Sequence, residues 1–146
     1  MAHDGFCLAV DTREQLPYSW PGMPTVRKAL PRGDYSVVGL EDRIGVERKS
    51  HADFVMTVTR HHDAFFEKME DCSGRGWFVV VVEATAAALD SPMPWTRVTP
   101  SVIQGNLVKL ACLGVPVHLA GTRDRGQRFT YAFLLRAWEE IRRLHP

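Results

Sequence analysis

Trp77-Phe78-Val79-Val80-Val81-Val82-Glu83 is an unbroken apolar run of strand-forming residues that closes on a single acid. A strand with one wet face alternates apolar and polar residues. This one does not, so both of its faces are expected to be covered, as in a parallel or mixed sheet lying between helix layers. The flanking segments supply those layers. Upstream, Ser50 reads as the N-cap of an amphipathic helix carrying Phe54, Val55 and Val58, which runs on or breaks near Arg60 before Phe65, Phe66 and Met69. Downstream, Ala84 to Trp95, with Pro92 and Pro94, reads as a connection with a short helical turn at its start. Thr99-Pro100 opens a helix ending at Gly114, Pro116 to Ala120 is a short strand, and Thr122 starts a last helix. The expected fold class is α/β, a central mixed β-sheet flanked by helices on both faces.

Two further strands read as a hairpin. Asp34-Tyr35-Ser36-Val37-Val38 and Arg43-Ile44-Gly45-Val46-Glu47-Arg48 flank the turn Gly39-Leu40-Glu41-Asp42. Pairing Val38 with Arg43 sets Val37 against Ile44 and, counting outward, Asp34 against Glu47. Directly opposed residues share a face with Cβ atoms about 4.5–5.5 Å apart. Lys49, two residues past Glu47, points the same way, and Arg48 points to the other face. Two opposed carboxylates repel unless a cation or a proton lies between them, and a hard cation such as Mg²⁺ takes one or two carboxylates and keeps its other positions for waters and a substrate phosphate. The alternative is a hairpin end with solvated charges. A second acidic element, Asp11-Thr12-Arg13-Glu14, ends the apolar run Phe6 to Val10, and charged residues at the end of a buried strand are characteristic of α/β active sites.

These motifs together resemble the nuclease domain of the XPF family of structure-selective DNA endonucleases, a branch of the PD-(D/E)XK superfamily. The resemblance rests on Val10-Asp11-Thr12-Arg13-Glu14, on Leu30-Pro31-Arg32-Gly33-Asp34-Tyr35, and on Val46-Glu47-Arg48-Lys49-Ser50 with Asp53. It implies a single restriction-endonuclease-like domain over residues 1–146 that uses Mg²⁺ (or Mn²⁺). Asp34 and Glu47 would be metal ligands with Asp11 helping to hold metal or water, and Lys49 would orient or activate the attacking water. Glu14 and Arg13 would shape the phosphate pocket. Arg48, facing away from Glu47, would support the site or a neighbouring segment or contact DNA, and Arg60 is a candidate DNA contact, although the Gln that the family places about one helical turn beyond that Arg is absent here, where His61 and His62 stand. Asp53 would support the site or serve the first turn of the following helix, where a negative charge is favourable.

Composition is consistent with this reading. The 146 residues are 45% hydrophobic, and a chain of that size buries about 68–70% of its unfolded surface. No run of 18 or more apolar residues is present, and the N-terminus lacks the basic start and apolar core of a secretory signal, so a soluble intracellular protein, nucleoid-associated in a prokaryotic or phage setting, is expected. Cys7, Cys72 and Cys112 lie far apart with no Cys-x-x-Cys pair, which suggests free core thiols. The net charge of +1 hides an asymmetry: residues 1–73 hold nine Lys/Arg against twelve Asp/Glu, and residues 74–146 nine against five. The second half, with Arg123, Arg125, Arg128, Arg136, Arg142 and Arg143, offers either a phosphate-tracking surface or an ordinary solvated helix face.

The last helix carries an apolar stripe of Phe129, Phe133, Ala137, Trp138, Ile141 and Leu144, which closes its own core or pairs with a second subunit. The family resemblance implies the second, a homodimer through the C-terminal helices. It also implies branched or flapped DNA as substrate, in repair or recombination. Neither a helix-hairpin-helix nor a helicase module has room here. A catalytically silent DNA-binding partner, and a junction-resolving or restriction-type nuclease, are the alternatives. The adjacent His61 and His62 point about 100° apart on a helix and do not readily share one ion, so they are expected at the surface. His118 is expected in a strand with a satisfied ring nitrogen.

Overall fold

A computed structural model describes residues 3–146. Met1 and Ala2, the start of the segment read above for a secretory signal, lie outside the described residues. Eleven elements follow in chain order: β1 (Leu8–Asp11), β2 (Thr25–Lys28), β3 (Tyr35–Val37), β4 (Ile44–Ser50), α1 (His51–Thr59), α2 (His62–Cys72), β5 (Trp77–Glu83), α3 (Ala86–Leu89), α4 (Pro100–Cys112), β6 (Val117–Leu119) and α5 (Arg123–Leu144). The strands form one mixed sheet in the order β2-β1-β3-β4-β5-β6. The pairs β1–β3 and β3–β4 are antiparallel, and β1–β2, β4–β5 and β5–β6 are parallel.

β5 is the spine. Its Val79 and Val81 point into a core shared with β1, β3, β4 and α5, and its Val80 and Val82 into a second core made with α1 to α4. All four valines are essentially inaccessible, which is why the run does not alternate. Of the two courses the sequence leaves open, the helix after β4 takes the break: Ser50 Oγ accepts from the Asp53 N–H at 3.2 Å, α1 stops at Thr59, and α2 restarts at His62. Thr122 caps α5 in the same way, accepting from Arg125 N at 3.1 Å.

Several local expectations are corrected. Thr99 gives α4 no side-chain cap, although Pro100 does occupy its first turn. On α5 the buried row is Thr130, Leu134, Ala137, Trp138 and Ile141, whereas Phe129 and Phe133 are half-buried on its flank and Leu144 is exposed. A row repeating every four residues rotates by about 40° per step on a helix, so the stripe starting at Phe129 begins on the flank of the core beside β6 and becomes fully buried only at Ala137. His118 in β6 is held by stacking, its ring 3.7 Å from that of Phe129, and not by a ring-nitrogen hydrogen bond among the described residues. Of the three cysteines only Cys72 is buried, and Cys112 is exposed.

Gly33 is required at the entrance to β3. Its φ is +74°, and a Cβ there would stand 2.8 Å from the Val46 carbonyl oxygen. Only glycine lets the chain turn into β3 so close to β4.

Candidate active site

Tyr35 lies opposite Val46, the register that sets Asp34 against Glu47. The Asp34 peptide is stitched into its neighbours: its N–H donates to Val46 O at 2.7 Å, and its carbonyl accepts from Asp11 N at 2.9 Å. The side chain is oriented by the Arg48 N–H, which donates to Asp34 Oδ2 at 2.8 Å. Since Tyr35 and Val46 face the α5 core, Asp34 and Glu47 face the opposite side, toward α1 and α2.

Glu47 is 2% exposed. Burial, followed by the charge of Glu47, pushes the Asp34 carboxyl up to about 8. Two carboxyls this close out of water do not both ionise without a cation. Here the cation is Lys68 of α2, whose ammonium donates to Glu47 Oε2. Burial works against the Lys68 charge, but Glu47, with Asp34 behind it, outweighs burial and raises its pKa. The sequence alone did not single out Lys68; its signal is a lysine set within the apolar row Phe65, Phe66, Met69 and Cys72.

Asp11 is tightly held by its neighbours. It is buried, and both of its oxygens are taken: Arg13 Nε donates to Oδ2 at 2.8 Å, and Leu30 N to Oδ1 at 2.8 Å. Burial pushes this carboxyl up, but Arg13 and the Leu30 N–H outweigh that effect and hold it below the usual range. Among the described residues no group of three or more His, Cys, Asp or Glu side chains is placed to hold a metal ion. Asp34 and Glu47 stand opposite each other, while the Asp11 carboxyl is engaged by Arg13 and the Leu30 N–H. Two opposed carboxylates remain, a donor set of hard oxygens that fits an ion such as Mg²⁺.

Arg13 is anchored by Asp11 and by Leu30 O at 3.2 Å, yet its side chain is 75% exposed. Its pKa is raised by Asp11 first and further by Asp34 and Glu47, so it stands within the field of the carboxyl pair. Lys49 is half-buried on the strand face of Glu47 and has no ion pair among the described residues. Asp53, in the first turn of α1, is exposed, and its N–H completes the Ser50 cap.

Glu14 and Arg48 belong to the other face. Tyr35 Oη donates to Glu14 Oε2 at 2.7 Å, and Arg48 Nη1 reaches the same oxygen at 3.4 Å. Arg48 also donates through Nε to Glu83 Oε2 at 3.1 Å and through Nη1 to Leu16 O at 2.8 Å, with its guanidinium 4.3 Å from the centre of the Tyr18 ring. The Arg48 side chain, 14% exposed and engaged by these partners, supports the neighbouring segments from the face away from Glu47. Glu14 likewise braces Tyr35 on the side of the sheet away from Glu47, and Glu83, the acid that ends β5, completes this network. Arg60 caps α1, exposed and without an ion pair among the described residues.

The ERCC4 domain family matches residues 10–133, most of the chain and every residue of the site described above. The chain belongs to the ERCC4 domain family. Its fold is similar to that of XPF from Aeropyrum pernix, with a TM-score of 0.67 at 20% identity, over 87% of this chain and 59% of that one. This ERCC4 domain therefore spans a little under two thirds of the protein it resembles in structure, and the likeness shows the fold. No curated protein matches it in sequence. No helix among the described residues is long and apolar enough to cross a membrane.

Proposed function

We propose that this ERCC4 domain is a divalent-metal-dependent DNA endonuclease that hydrolyses phosphodiester bonds in branched or flapped DNA, in repair or recombination. Family membership supports a nuclease-type function. The observation that carries the reading is the pairing of half-buried Asp34 with buried Glu47, with Lys49 on the same strand face and Arg13 exposed beside it. Asp34 and Glu47 would hold Mg²⁺ or Mn²⁺, which supplies positive charge to the phosphate and acidifies water. Lys49, free of any ion pair among the described residues, donates a hydrogen bond to the attacking water or the scissile phosphate. Arg13, fixed by Asp11, meets a non-bridging phosphate oxygen, and Asp11 acts through Arg13.

A homodimer is part of the proposal. α5 buries one side in its own core, and the surface offered to a second copy is the open edge of β6 with the half-buried Phe129 and Phe133 of α5. Sedimentation across protein concentration tests it, and a persistent monomer refutes it.

The nuclease reading is tested with labelled single-stranded, duplex, flap, splayed-arm and four-way DNA, each with Mg²⁺, Mn²⁺ or chelator. Cleavage that needs the ion and is abolished in Asp34→Asn, Glu47→Gln and Lys49→Ala, with folding intact, is the expected result. Cleavage in chelator, or full activity in Glu47→Gln, refutes it.

A further inference from the structure

The exposed side of α1 and the segment 94–98 enclose a groove of about 800 Å³, the size of a small-ligand pocket. Val55 forms its floor, Met56 and Trp95 its apolar walls, and Arg60 and Arg97 its charged rim. Trp95 is 50% exposed. Its exposure is held in place by the chain: Met93 is buried on one side of it, Val98 packs against the second core on the other, and Pro92, Pro94 and Pro100 stiffen the connection. An ordered, half-exposed indole is a contact surface looking for a flat partner.

The charges are equally unspent. Among the described residues seven arginines, Arg32, Arg75 and Arg128 among them, form ion pairs. Arg60 and Arg97 form neither an ion pair nor a side-chain hydrogen bond among the described residues, and no acid lines the groove. Its position connects it to the carboxyl pair. The His51 ring stands edge-on to Trp95, with centroids 6.0 Å apart, and His51 follows directly on Lys49-Ser50 at the end of β4. From there α1 extends about 13 Å, the length of about four stacked nucleotides of one strand.

We propose that this groove is a subsite for unpaired DNA, in which a base stacks on Trp95 while Arg60 and Arg97 take the flanking phosphates. The proposal rests on the reading of DNA as substrate. An exposed aromatic between two free guanidinium groups suits a single strand, whose bases are open to stacking and whose backbone is anionic. A duplex keeps its bases inside, where Trp95 has nothing to stack on, and a lone anion would leave the indole unused. The subsite places an unpaired arm beside the candidate centre, which gives a single domain a means of preferring branched DNA over plain duplex.

The test is binding, measured in chelator by anisotropy of a labelled oligothymidine and of a labelled blunt duplex. Trp95→Ala is expected to weaken oligothymidine binding about 10-fold, Trp95→Phe to recover most of it, and duplex binding to change by less than about 2-fold. Arg60→Gln and Arg97→Gln are each expected to lower the slope of log affinity against log salt by about 0.7. Thermal unfolding checks that each variant folds, and the two arginine variants stand on their own if Trp95→Ala does not. No binding of oligothymidine by the parent chain, unchanged binding in Trp95→Ala, or an equal loss on duplex overturns the proposal. So does loss of self-association in Trp95→Ala with DNA binding intact, which reassigns the groove to a second copy of the chain. Binding in chelator is blind to cleavage, so a chain that stacks DNA on Trp95 and never cuts it refutes only the nuclease reading.

Discussion

Lys68 donates from its ammonium to Glu47 Oε2 and so ties α2 to the strand that carries the carboxyl pair. The partners are unequal: the Glu47 side chain is 2% exposed, and that of Lys68 is 44% exposed. The glutamate has nowhere to go, whereas the lysine can withdraw into water. Lys68 is thus a removable counter-charge for a carboxylate that does not tolerate being left alone. In chelator, Lys68→Ala is expected to lower stability by about 1–2 kcal/mol, less than for a fully buried pair because water screens the exposed partner. With Mg²⁺ the deficit should shrink, since an ion that binds only the folded state adds stability. Thermal shifts with and without Mg²⁺ measure both, and equal shifts in parent and variant would separate Lys68 from the ion.

Arg48→Lys tests the far side of the sheet. A lysine cannot bridge Glu14 and Glu83 while lying over the Tyr18 ring. A loss of about 2–3 kcal/mol is expected in urea unfolding, because two carboxylates that are largely out of water lose a fitted partner. The salt dependence of DNA binding should not change. A reduced salt slope would restore Arg48 as a phosphate contact.

Gly33→Ala should cost about 2–3 kcal/mol, combining a left-handed backbone with a Cβ pressed on Val46 O. Gly39→Ala is the control. Its φ is +91°, but nothing lies within 4 Å of the added carbon, so only the backbone part, about 1 kcal/mol, should be lost. Equal losses in the two variants would mean that the close approach to Val46 is not what Gly33 serves.

The cysteines should separate under alkylation. Cys112 is exposed and should react with iodoacetamide in the folded protein, whereas Cys72 should react only on unfolding. Burial pushes the Cys72 thiol up to about 11 from an ordinary value near 9. The folded state therefore holds its proton longer than the unfolded state, so this contribution to stability is complete below about pH 9 and is lost as pH rises toward 11. Urea midpoints across that range measure the loss. A Cys72→Ser variant with the same decline would assign it to other groups.

The hairpin was legible from sequence because alternation and a four-residue turn leave little freedom in the pairing, and Tyr35 does face Val46. Burial of β5 on both faces was legible from Val79 to Val82 for the same kind of reason. β2 was not: Thr25-Val26-Arg27-Lys28 is a short, largely exposed edge strand whose pairing with β1 leaves no apolar pattern. The fate of Glu14 was hidden too, since strand alternation stops at Asp11 and the loop that follows decides which face it joins. Asp11 was placed correctly at a strand end, but its saturation by Arg13 and Leu30 N depends on a segment about nineteen residues away in the chain. Lys68 belongs to the same class, because a helix's own periodicity says which side is apolar and nothing about which acid stands across from it.

The Arg48 amide lies inside the sheet and donates to Asp34, while the side chain of the same residue is fixed to Glu14 and Glu83. That N–H keeps its partner only while β4 stays paired with both β3 and β5 in the middle of the sheet. Fraying at an edge strand such as β2 leaves it untouched, so its proton should exchange with solvent only through the global unfolding of the chain. The orientation of Asp34 is then expected to last as long as the fold itself.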